Sequence, residues 1–230
     1  MAYFLDYVTA GGKYFQMPSG SADIAAGQNF ELEFVLRRFN VTNTRFLGRA
    51  SSSGAIRFPT STTFAVVNSA NASANFTAPA NYTDFVKYRV WRNDGANVNF
   101  SVDDGAPQTG AQAGGFIFNR FLADASGVSA SCQCKYIKLW KDGVLTNHWE
   151  NTTGTGTQMT DLVGGQPFNQ MGTWPADDSE WVFYDDGGAV TGLQRHNGST
   201  FVGVGIKRWN GSAFVDAVLK RWNGSAFVDI

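Results

Sequence analysis

An arginine, a tryptophan and an asparagine stand side by side twice near the end of the chain, as Arg208, Trp209 and Asn210 and as Arg221, Trp222 and Asn223. An indole offers a flat surface on which a sugar ring, or even a nucleobase, can stack, and the neighbouring side chains supply hydrogen-bond donors. These six residues are therefore candidate ligand-binding residues.

The spacing of these residues also supports a structural interpretation, because it belongs to an internal repeat. The segments RHNGSTFVGVGIK, RWNGSAFVDAVLK and RWNGSAFVDI align with a period of 13. Asn-Gly is favoured in the tight turn of a β-hairpin, so the repeat predicts hairpins with Trp209 opposite Phe214 and Trp222 opposite Phe227. Tryptophans that recur at one register position indicate packing between hairpins rather than one convergent pocket, and we favour packing.

Hairpins of this size need a partner. An isolated hairpin is only marginally stable in water, so the three units must pack on one another, on the rest of the chain or on other copies of it. The first copy has His196 where the others have tryptophan. The tail is basic, whereas residues 160–190 carry six acidic residues and no lysine or arginine, so the two stretches are complementary in charge. The tail therefore predicts an assembly contact and a homo-oligomer.

Cys132 and Cys134 are the two cysteines of the chain. In an extended strand they would face the same side, with Cα atoms near the limit for a disulfide, so we expect two free thiols. His148 and His196 stand far apart and form no zinc-binding spacing with other ligands. No metal site is predicted from these four residues.

Residues before the repeats alternate between apolar and polar types, as β-strands do. In FELEFVLRRF every second residue from Phe30 to Leu36 is apolar, and FVKYRVWRND and VNFSVDDG alternate in the same way around the turn NDGAN. About a dozen such segments, together with 19 phenylalanines and 26 glycines, predict an all-β fold. We expect a two-sheet antiparallel jelly-roll sandwich followed by a short β-hairpin repeat tail.

The overall composition excludes several classes of protein. A net charge of −1 argues against a globally basic nucleic-acid-binding protein. No apolar run reaches the roughly 18 residues that a membrane-spanning helix needs, so no membrane insertion is expected. The first residues, MAYFLDYVTAGG, lack the basic and apolar regions of a secretory signal peptide. We therefore expect the chain to be made in the cytoplasm and not exported by the secretory route.

The chain divides into three parts by composition. Residues 1–150 hold the alternating segments and should form the sandwich. Residues 151–190 are rich in glycine, threonine and asparagine, and we expect an ordered acidic extension packed on the body, because its scattered hydrophobic residues need burial. Those hydrophobic residues are Met159, Leu162, Val163, Phe168 and Trp174. Residues 191–230 hold the three 13-residue hairpin repeats.

The order of KYFQMPSG, FELEFVLRRF, FVKYRVWRNDGANVNFSVDDG, FIFNRFL and CKYIKLWKDGVL resembles the concanavalin A-like lectin/glucanase jelly roll, in its laminin-G-like branch. The turns Val102-Asp103-Asp104-Gly105 and Asp142-Gly143 carry the likeness. The segments from GTGTQMTDLVGG to WPADDSEWVFYDD, with the WNGSAFVD repeats, look like the C-terminal part of bacteriophage and prophage virion proteins. The resemblance implies a lectin-like sandwich on a virion.

That resemblance also directs attention to carboxylates. Glucanases of this fold use carboxylates at alternate positions of one strand as nucleophile and acid. Glu31 and Glu33 have this spacing, but Val35 and Arg37 follow on the same side, so we favour two solvated charges on an outer face and predict no catalytic residues. Laminin-G-like relatives often bind calcium at the rim, where Asp94, Asp103 or Asp104 could serve; turn formation is the alternative. No other cofactor is expected.

The function implied is that of a structural virion protein of a bacteriophage, in a fibre, spike or capsid surface, with a lectin-like domain that contacts host surface polysaccharide. Its expected partners are other virion proteins and further copies of itself. A purely architectural decoration or assembly protein, and a cryptic glycan hydrolase or lyase, are the alternatives. We favour a non-enzyme, since no Gly-x-Ser-x-Gly nucleophile motif and no phosphate-binding loop is present.

Overall fold

The computed structural model describes residues 2–7, 13–17, 22–38, 44–49, 54–79, 84–122, 132–174, 180–184, 193–196, 201–204, 207–209, 214–216, 220–222 and 227–229. The chain forms two compact units, Met1–Tyr184 and Asp185–Ile230. Every regular element in the described ranges is a β-strand, and the chain is all-β as predicted. None of these ranges contains a helix with the length and apolar character needed to span a bilayer.

The first unit contains eighteen of the described strands. In chain order they are β1 (Ala2–Tyr7), β2 (Tyr14–Gln16), β3 (Ala22–Ile24), β4 (Phe30–Arg38), β5 (Thr44–Gly48), β6 (Ala55–Thr60), β7 (Thr63–Val67), β8 (Ser73–Thr77), β9 (Val86–Arg92), β10 (Asn97–Val102), β11 (Gln108–Ala111), β12 (Phe116–Phe118), β13 (Arg120–Phe121), β14 (Cys132–Lys141), β15 (Val144–Glu150), β16 (Gln158–Asp161), β17 (Phe168–Met171) and β18 (Trp181–Tyr184).

Alternation decides which side of each strand is buried. In β4 the even-numbered residues from Phe30 to Leu36 are at most 4% exposed, and the residues between them are half-buried. In β9 the buried residues are Val86, Tyr88, Val90 and Arg92. The alternation read from the sequence is confirmed for both strands, and an arginine takes the last inward position of β9.

The strands form two facing layers. The front layer has the order β11-β10-β9-β4-β14-β15, and the back layer the order β2-β13-β5-β6-β7-β8. β16 and β17 connect β15 to β2, so the ladder runs without a break from β11 to β8. These two end strands are joined by a side chain. Gln108 of β11 donates a hydrogen bond to the Thr77 carbonyl of β8 and accepts one from the Thr77 N–H, each at 2.7 Å. One glutamine amide thus closes the sandwich where backbone pairing stops.

Aromatic side chains fill the space between the layers. Phe34 of the front layer lies 4.5 Å from Phe46 of the back layer, measured between ring centroids, and Phe100 stacks on Phe64 at 4.3 Å. Tyr88 meets Phe58 edge-on at 5.3 Å. Each of these rings is at most 1% exposed. Offset and edge-on pairs of this kind add about 0.5–1.5 kcal/mol beyond the burial of their area.

The segment FIFNRFL forms two strands instead of the single strand that the alternation suggests. β12 pairs with β3, whereas β13 pairs with β2 and β5. Between them the Asn119 backbone donates to Gly48 and accepts from Met17. The chain therefore changes partners at Asn119, and only the long-range pairing determines that position.

Residues 151–184 pair with the body through three strands. β16 pairs with β15, β17 with β2 and β18 with β1. Met159 and Phe168 are fully buried, whereas Leu162 and Val163 are 46% and 51% exposed. The expected burial therefore holds for the strand residues and fails for the two residues of the β16–β17 connection.

Cys132 and Cys134 are buried thiols and form no disulfide, as predicted. A β-bulge lies between Cys134 and Tyr136 in the pairing of β14 with β4. Beyond the bulge, alternate residues of β14 face outward again from Tyr136 to Trp140, and this sets the register of the outer face described below.

The described residues of the second unit form three two-stranded hairpins: β19 (Leu193–His196) with β20 (Phe201–Val204), β21 (Lys207–Trp209) with β22 (Phe214–Asp216), and β23 (Lys220–Trp222) with β24 (Phe227–Asp229). Trp209 pairs with Phe214 and Trp222 with Phe227, as predicted, and His196 pairs with Phe201 in the first copy. Asn210 and Asn223, which the sequence places in the turns, lie outside the described residues.

Candidate functional site

Two tryptophans flank a glutamate on the outer side of the front layer. Glu31 of β4 is the cross-strand partner of Trp91 in β9 and of Trp140 in β14. Residues directly opposite each other in a sheet share a face, so the three side chains stand in one row across the strands. Both indoles are half-buried. Two strand spacings separate them, about 10 Å between the backbones of β9 and β14.

A groove of about 600 Å³ opens at this row. Its floor is formed by β4, and its rim by the β9–β10 turn and the β14–β15 turn. The residues that line it are Asn29, Phe30, Glu31, Trp91, Arg92, Asn93, Trp140, Asp142 and Gly143. A concave site that combines aromatic surfaces with a few polar groups is typical of small-molecule binding.

The β9–β10 turn is held by Asp94. Its carboxylate accepts hydrogen bonds from the backbone N–H groups of Ala96 and Asn97 and from the Asn97 side-chain amide, at 2.8–2.9 Å. These bonds, that from the Asn97 side chain above all, lower the pKa of Asp94 to about 2. The turn is therefore fixed from within, and Asn93 beside it stands exposed at the rim.

The β14–β15 turn consists of Asp142 and Gly143, both with positive φ, at 49° and 81°. Consecutive residues of positive φ form the hairpin turns that match the twist of the strands, and glycine adopts this conformation without strain. The Gln28 side chain donates to Asp142 Oδ2 at 2.8 Å, and the Asp142 N–H donates to the Asn29 carbonyl at 3.0 Å. The β14–β15 turn is thus bonded to the segment that precedes β4.

Glu31 is oriented by a bidentate ion pair. Arg89 Nε lies 2.6 Å from Glu31 Oε1, and Arg89 Nη2 lies 2.8 Å from Oε2. The Arg89 guanidinium also lies 4.7 Å from the centroid of the Trp91 ring. Paired N–H···O bonds fix geometry as well as charge, so one arginine orients both the carboxylate and the indole. The hydrogen bond to Glu31 raises the pKa of Arg89.

Arg92 supports the groove from below. It is 1% exposed, and it donates to the backbone carbonyls of Ala25, Gln28, Gln112 and Gly114 at 2.8–3.0 Å. Its guanidinium also lies 5.4 Å from the Phe30 ring. Burial lowers the pKa of Arg92. The four carbonyls solvate the cation in place of water, and they leave Arg92 with a structural role at the groove.

The next rows of the outer face carry polar contacts rather than open surface. Tyr136 donates its hydroxyl to Glu33 Oε1 at 2.9 Å, and the ammonium of Lys138 lies 4.5 Å from the Tyr136 ring centroid. On the neighbouring strand β15, His148 Nε2 lies 2.9 Å from Glu150 Oε2. Glu31 and Glu33 share a face as predicted, but each is half-buried and bound to a neighbour, whereas the sequence suggested solvated charges.

This arrangement can bind a molecule with apolar faces and hydroxyl edges. Indole surfaces stack on apolar ring faces. Carboxylates accept hydrogen bonds from hydroxyl groups, and side-chain amides both donate and accept. Among the described residues, neither indole N–H of the groove has a hydrogen-bond partner, so both donors are available to a ligand.

The candidates from the repeats occupy strands of the second unit. Arg208 and Trp209 lie in β21, and Arg221 and Trp222 lie in β23. The backbone register places each tryptophan opposite a phenylalanine, Trp209 opposite Phe214 and Trp222 opposite Phe227. A ligand-binding role for them, and for Asn210 and Asn223, stays a prediction.

The three calcium candidates all bind protein donors. Asp94 closes its own turn, as described above. Asp103 Oδ1 accepts from the Lys87 N–H at 2.8 Å, and Asp104 forms an ion pair with the Lys87 ammonium. No group of three or more histidine, cysteine, aspartate or glutamate side chains converges within the described ranges. Turn formation, the second interpretation of these residues, accounts for their contacts.

Trp91 and Trp140 were not recognised as site residues from the sequence. A signal exists for each of them, since both occupy an outward position of an alternating strand and both come shortly before a turn, in VKYRVWRND and CKYIKLWKDG. Tryptophan is enriched at binding interfaces, because its ring is apolar and its N–H can donate a hydrogen bond. Their meeting on either side of Glu31 depends on strand pairing over 60 and 109 residues, which the alternation leaves open.

No protein-family model and no curated protein matches the chain. Solved structures similar to it include the binding domain of botulinum neurotoxin DC in complex with SialylT, with a TM-score of 0.36, 11% identity, and coverage of 60% of this chain and 41% of that one. Another is described as a receptor binding domain, with a TM-score of 0.35, 11% identity, and coverage of 60% and 41%. The chain thus spans about two fifths of the length of these structures.

Proposed function

We propose that this protein binds carbohydrate, and that the groove between Trp91 and Trp140 is its binding site. The observation that carries the proposal is the row of two half-exposed indoles on either side of Glu31, in a groove of about 600 Å³. Glu31 and Asp142 would accept hydrogen bonds from hydroxyl groups, and Asn29 and Asn93 would supply neutral donors and acceptors.

The groove is preformed, which favours binding. Arg89 holds Glu31 and Trp91, Gln28 holds Asp142, and Asp94 holds the turn that carries Asn93. A ligand therefore orders few side chains when it binds, and less of the interaction energy is lost to entropy. Single sites of this kind bind sugars weakly, and several copies on one particle would raise the avidity.

The biological setting belongs to the same proposal. The protein would be a structural component of a bacteriophage virion, in a fibre, spike or capsid surface, and its groove would contact host surface polysaccharide. The resemblance of the strand order to lectin-like jelly rolls and of the repeats to virion proteins supports this setting. The hairpin repeats would make the contact with other virion proteins or with further copies of the chain.

A glycan array followed by titration calorimetry tests the binding site. We expect the full chain to bind at least one glycan, and Trp91→Ala and Trp140→Ala each to weaken that binding at least tenfold, because each removes one stacking surface. Phe85→Ala is the matched control. Phe85 is a half-buried aromatic beside the other end of β9, in contact with Lys135 at 4.7 Å, and its removal should leave the affinity within twofold of the parent. Equal losses in all three variants would reject the groove.

Two other functions make different predictions. An architectural protein would bind no glycan on the array and would still assemble. A glycan hydrolase or lyase would lose a measurable activity in Glu31→Gln or Glu33→Gln. Both oxygens of Glu31 are bound by Arg89, so a catalytic role would require one of these charge-assisted hydrogen bonds to break. The structure therefore favours binding over catalysis at this position.

A further inference from the structure

We propose that the groove selects uncharged glycans and discriminates against sugars that carry a carboxylate. This inference rests on the proposed function and specifies its ligand class. It follows from which polar groups of the groove are free to bind a ligand and which are already engaged.

The cation that lines the groove is not available to an anion. Four of the five N–H groups of Arg92 point to the carbonyls of Ala25, Gln28, Gln112 and Gly114, and the residue is 1% exposed. The fifth N–H belongs to the same almost fully buried side chain, so little of this guanidinium is accessible to a ligand carboxylate. Arg92 therefore supplies no binding site for an acidic sugar.

Arg89, the neighbouring cation, is likewise engaged. Its Nε and Nη2 bind both oxygens of Glu31, and its guanidinium lies over the Trp91 ring. Its charge is neutralised locally by the carboxylate that does line the groove. An anionic ligand would have to compete with a bidentate ion pair for this group.

The charged groups that do present free lone pairs to the groove are carboxylates. Asp142 is exposed, and it accepts the Gln28 amide at Oδ2. Glu31 lies between the two indoles, with its side chain 28% exposed. A hydroxyl can donate to either group, whereas a ligand carboxylate has no proton to donate and is repelled. The remaining donors, the Asn29 and Asn93 amides and the two indole N–H groups, are neutral. Hydroxyl-rich uncharged sugars complement this set.

Matched pairs of glycans test the proposal. The array should hold neutral glycans beside acid-capped counterparts, such as lactose beside sialyllactose, and methyl-esterified beside free oligogalacturonates. We expect the bound glycans to be neutral, with the acidic partner at least tenfold weaker in titration. Acidic glycans that bind as tightly as their neutral partners would overturn the selectivity and leave the proposed function intact. An array without any bound glycan would overturn the proposed function and the selectivity with it.

A variant separates charge from shape. In Asp142→Asn the side chain keeps its size, and asparagine also tolerates the left-handed conformation before Gly143. We expect the ratio of neutral to acidic affinity to fall at least threefold, and to fall likewise in the parent when the salt concentration rises to about 1 M. Asp104→Asn, an exposed acid paired with Lys87 outside the groove lining, is the control and should leave the ratio unchanged. A ratio unaffected by Asp142→Asn and by salt would refute an electrostatic origin.

Discussion

Trp91 and Trp140 belong to strands that never pair with each other, yet both are cross-strand partners of Glu31. β4 lies between them and contributes the carboxylate, while each neighbouring strand contributes an indole. The site is thus a property of the sheet register, since a shift of one residue in either pairing would turn a tryptophan toward the core.

The first prediction concerns Arg89, which positions two groups of the groove without lining it. Arg89→Ala should weaken glycan binding about fivefold or more, because Glu31 and Trp91 lose the contact that orients them. Arg89→Lys should restore part of the affinity, since a lysine keeps the charge but not the bidentate geometry. Calorimetric titration of both variants measures this, with thermal unfolding as the check on folding. Equal affinity in all three proteins would contradict the positioning role.

The second prediction concerns Asp161, whose carboxylate accepts several hydrogen bonds at the end of β16. It accepts hydrogen bonds from the backbone N–H groups of His148, Val163, Gly164 and Gln166 and from the Asn147 side chain, at 2.7–3.2 Å. Asp161→Asn replaces one acceptor oxygen by a donor that faces other donors. We expect a loss of about 2–4 kcal/mol in the free energy of unfolding, since hydrogen bonds to charged groups exceed neutral ones.

Urea unfolding of the full chain, followed by tryptophan fluorescence, measures that loss. Asp104→Asn is the control, because an exposed ion pair contributes about 1 kcal/mol or less. A loss in Asp161→Asn no larger than in the control would show that the backbone donors do not depend on the charge.

The third prediction follows from the pKa of the same residue. Burial acts to raise the pKa of Asp161, but the hydrogen bonds from His148, Gly164, Asn147 and Gln166 together lower it below its ordinary value. A carboxyl group whose pKa is lower in the folded state stabilises the fold above its unfolded pKa, and this contribution is lost as the pH falls toward the folded value. The stability of the parent should therefore decrease between about pH 5 and pH 2 more than that of Asp161→Asn. Parallel pH profiles would contradict this assignment.

The fourth prediction concerns the two thiols. Burial raises the pKa of Cys134 well above its ordinary value, and Cys132 is 1% exposed. Thiolates react with alkylating and disulfide reagents far faster than thiols. At pH 8 the folded protein should therefore release little colour with a disulfide reagent, and two equivalents should react at once in urea. Rapid reaction of either cysteine without denaturant would show that β14 opens readily.

Local alternation predicts most of this fold, and long-range pairing accounts for what it misses. The strand β4, the β9–β10 hairpin and the Trp209–Phe214 register follow from residues within a few positions of one another. The change of partners at Asn119 and the row through Glu31 do not, because each joins segments dozens of residues apart. The spacing of Glu31 and Glu33 is visible in the sequence, but Arg89 and Tyr136, which bind them, are brought to them only by the sheet.

The last prediction concerns the hairpin repeats and separates attachment from folding. Met1–Tyr184 forms a compact unit with its own buried core, so a chain that lacks residues 195–230 should keep its cooperative unfolding transition and its glycan affinity. The repeats pair Lys207 with Asp216 and Trp209 with Phe214, and the third copy repeats both pairs. Such short hairpins need further burial to be stable. We therefore expect the truncated chain to lose oligomerisation, measured by sedimentation velocity, and incorporation into particles.

Trp209→Ala with Trp222→Ala in the full chain should cause the same loss if the aromatic pairs make the contact. A truncated chain that still assembles would show that the contact lies in the first unit.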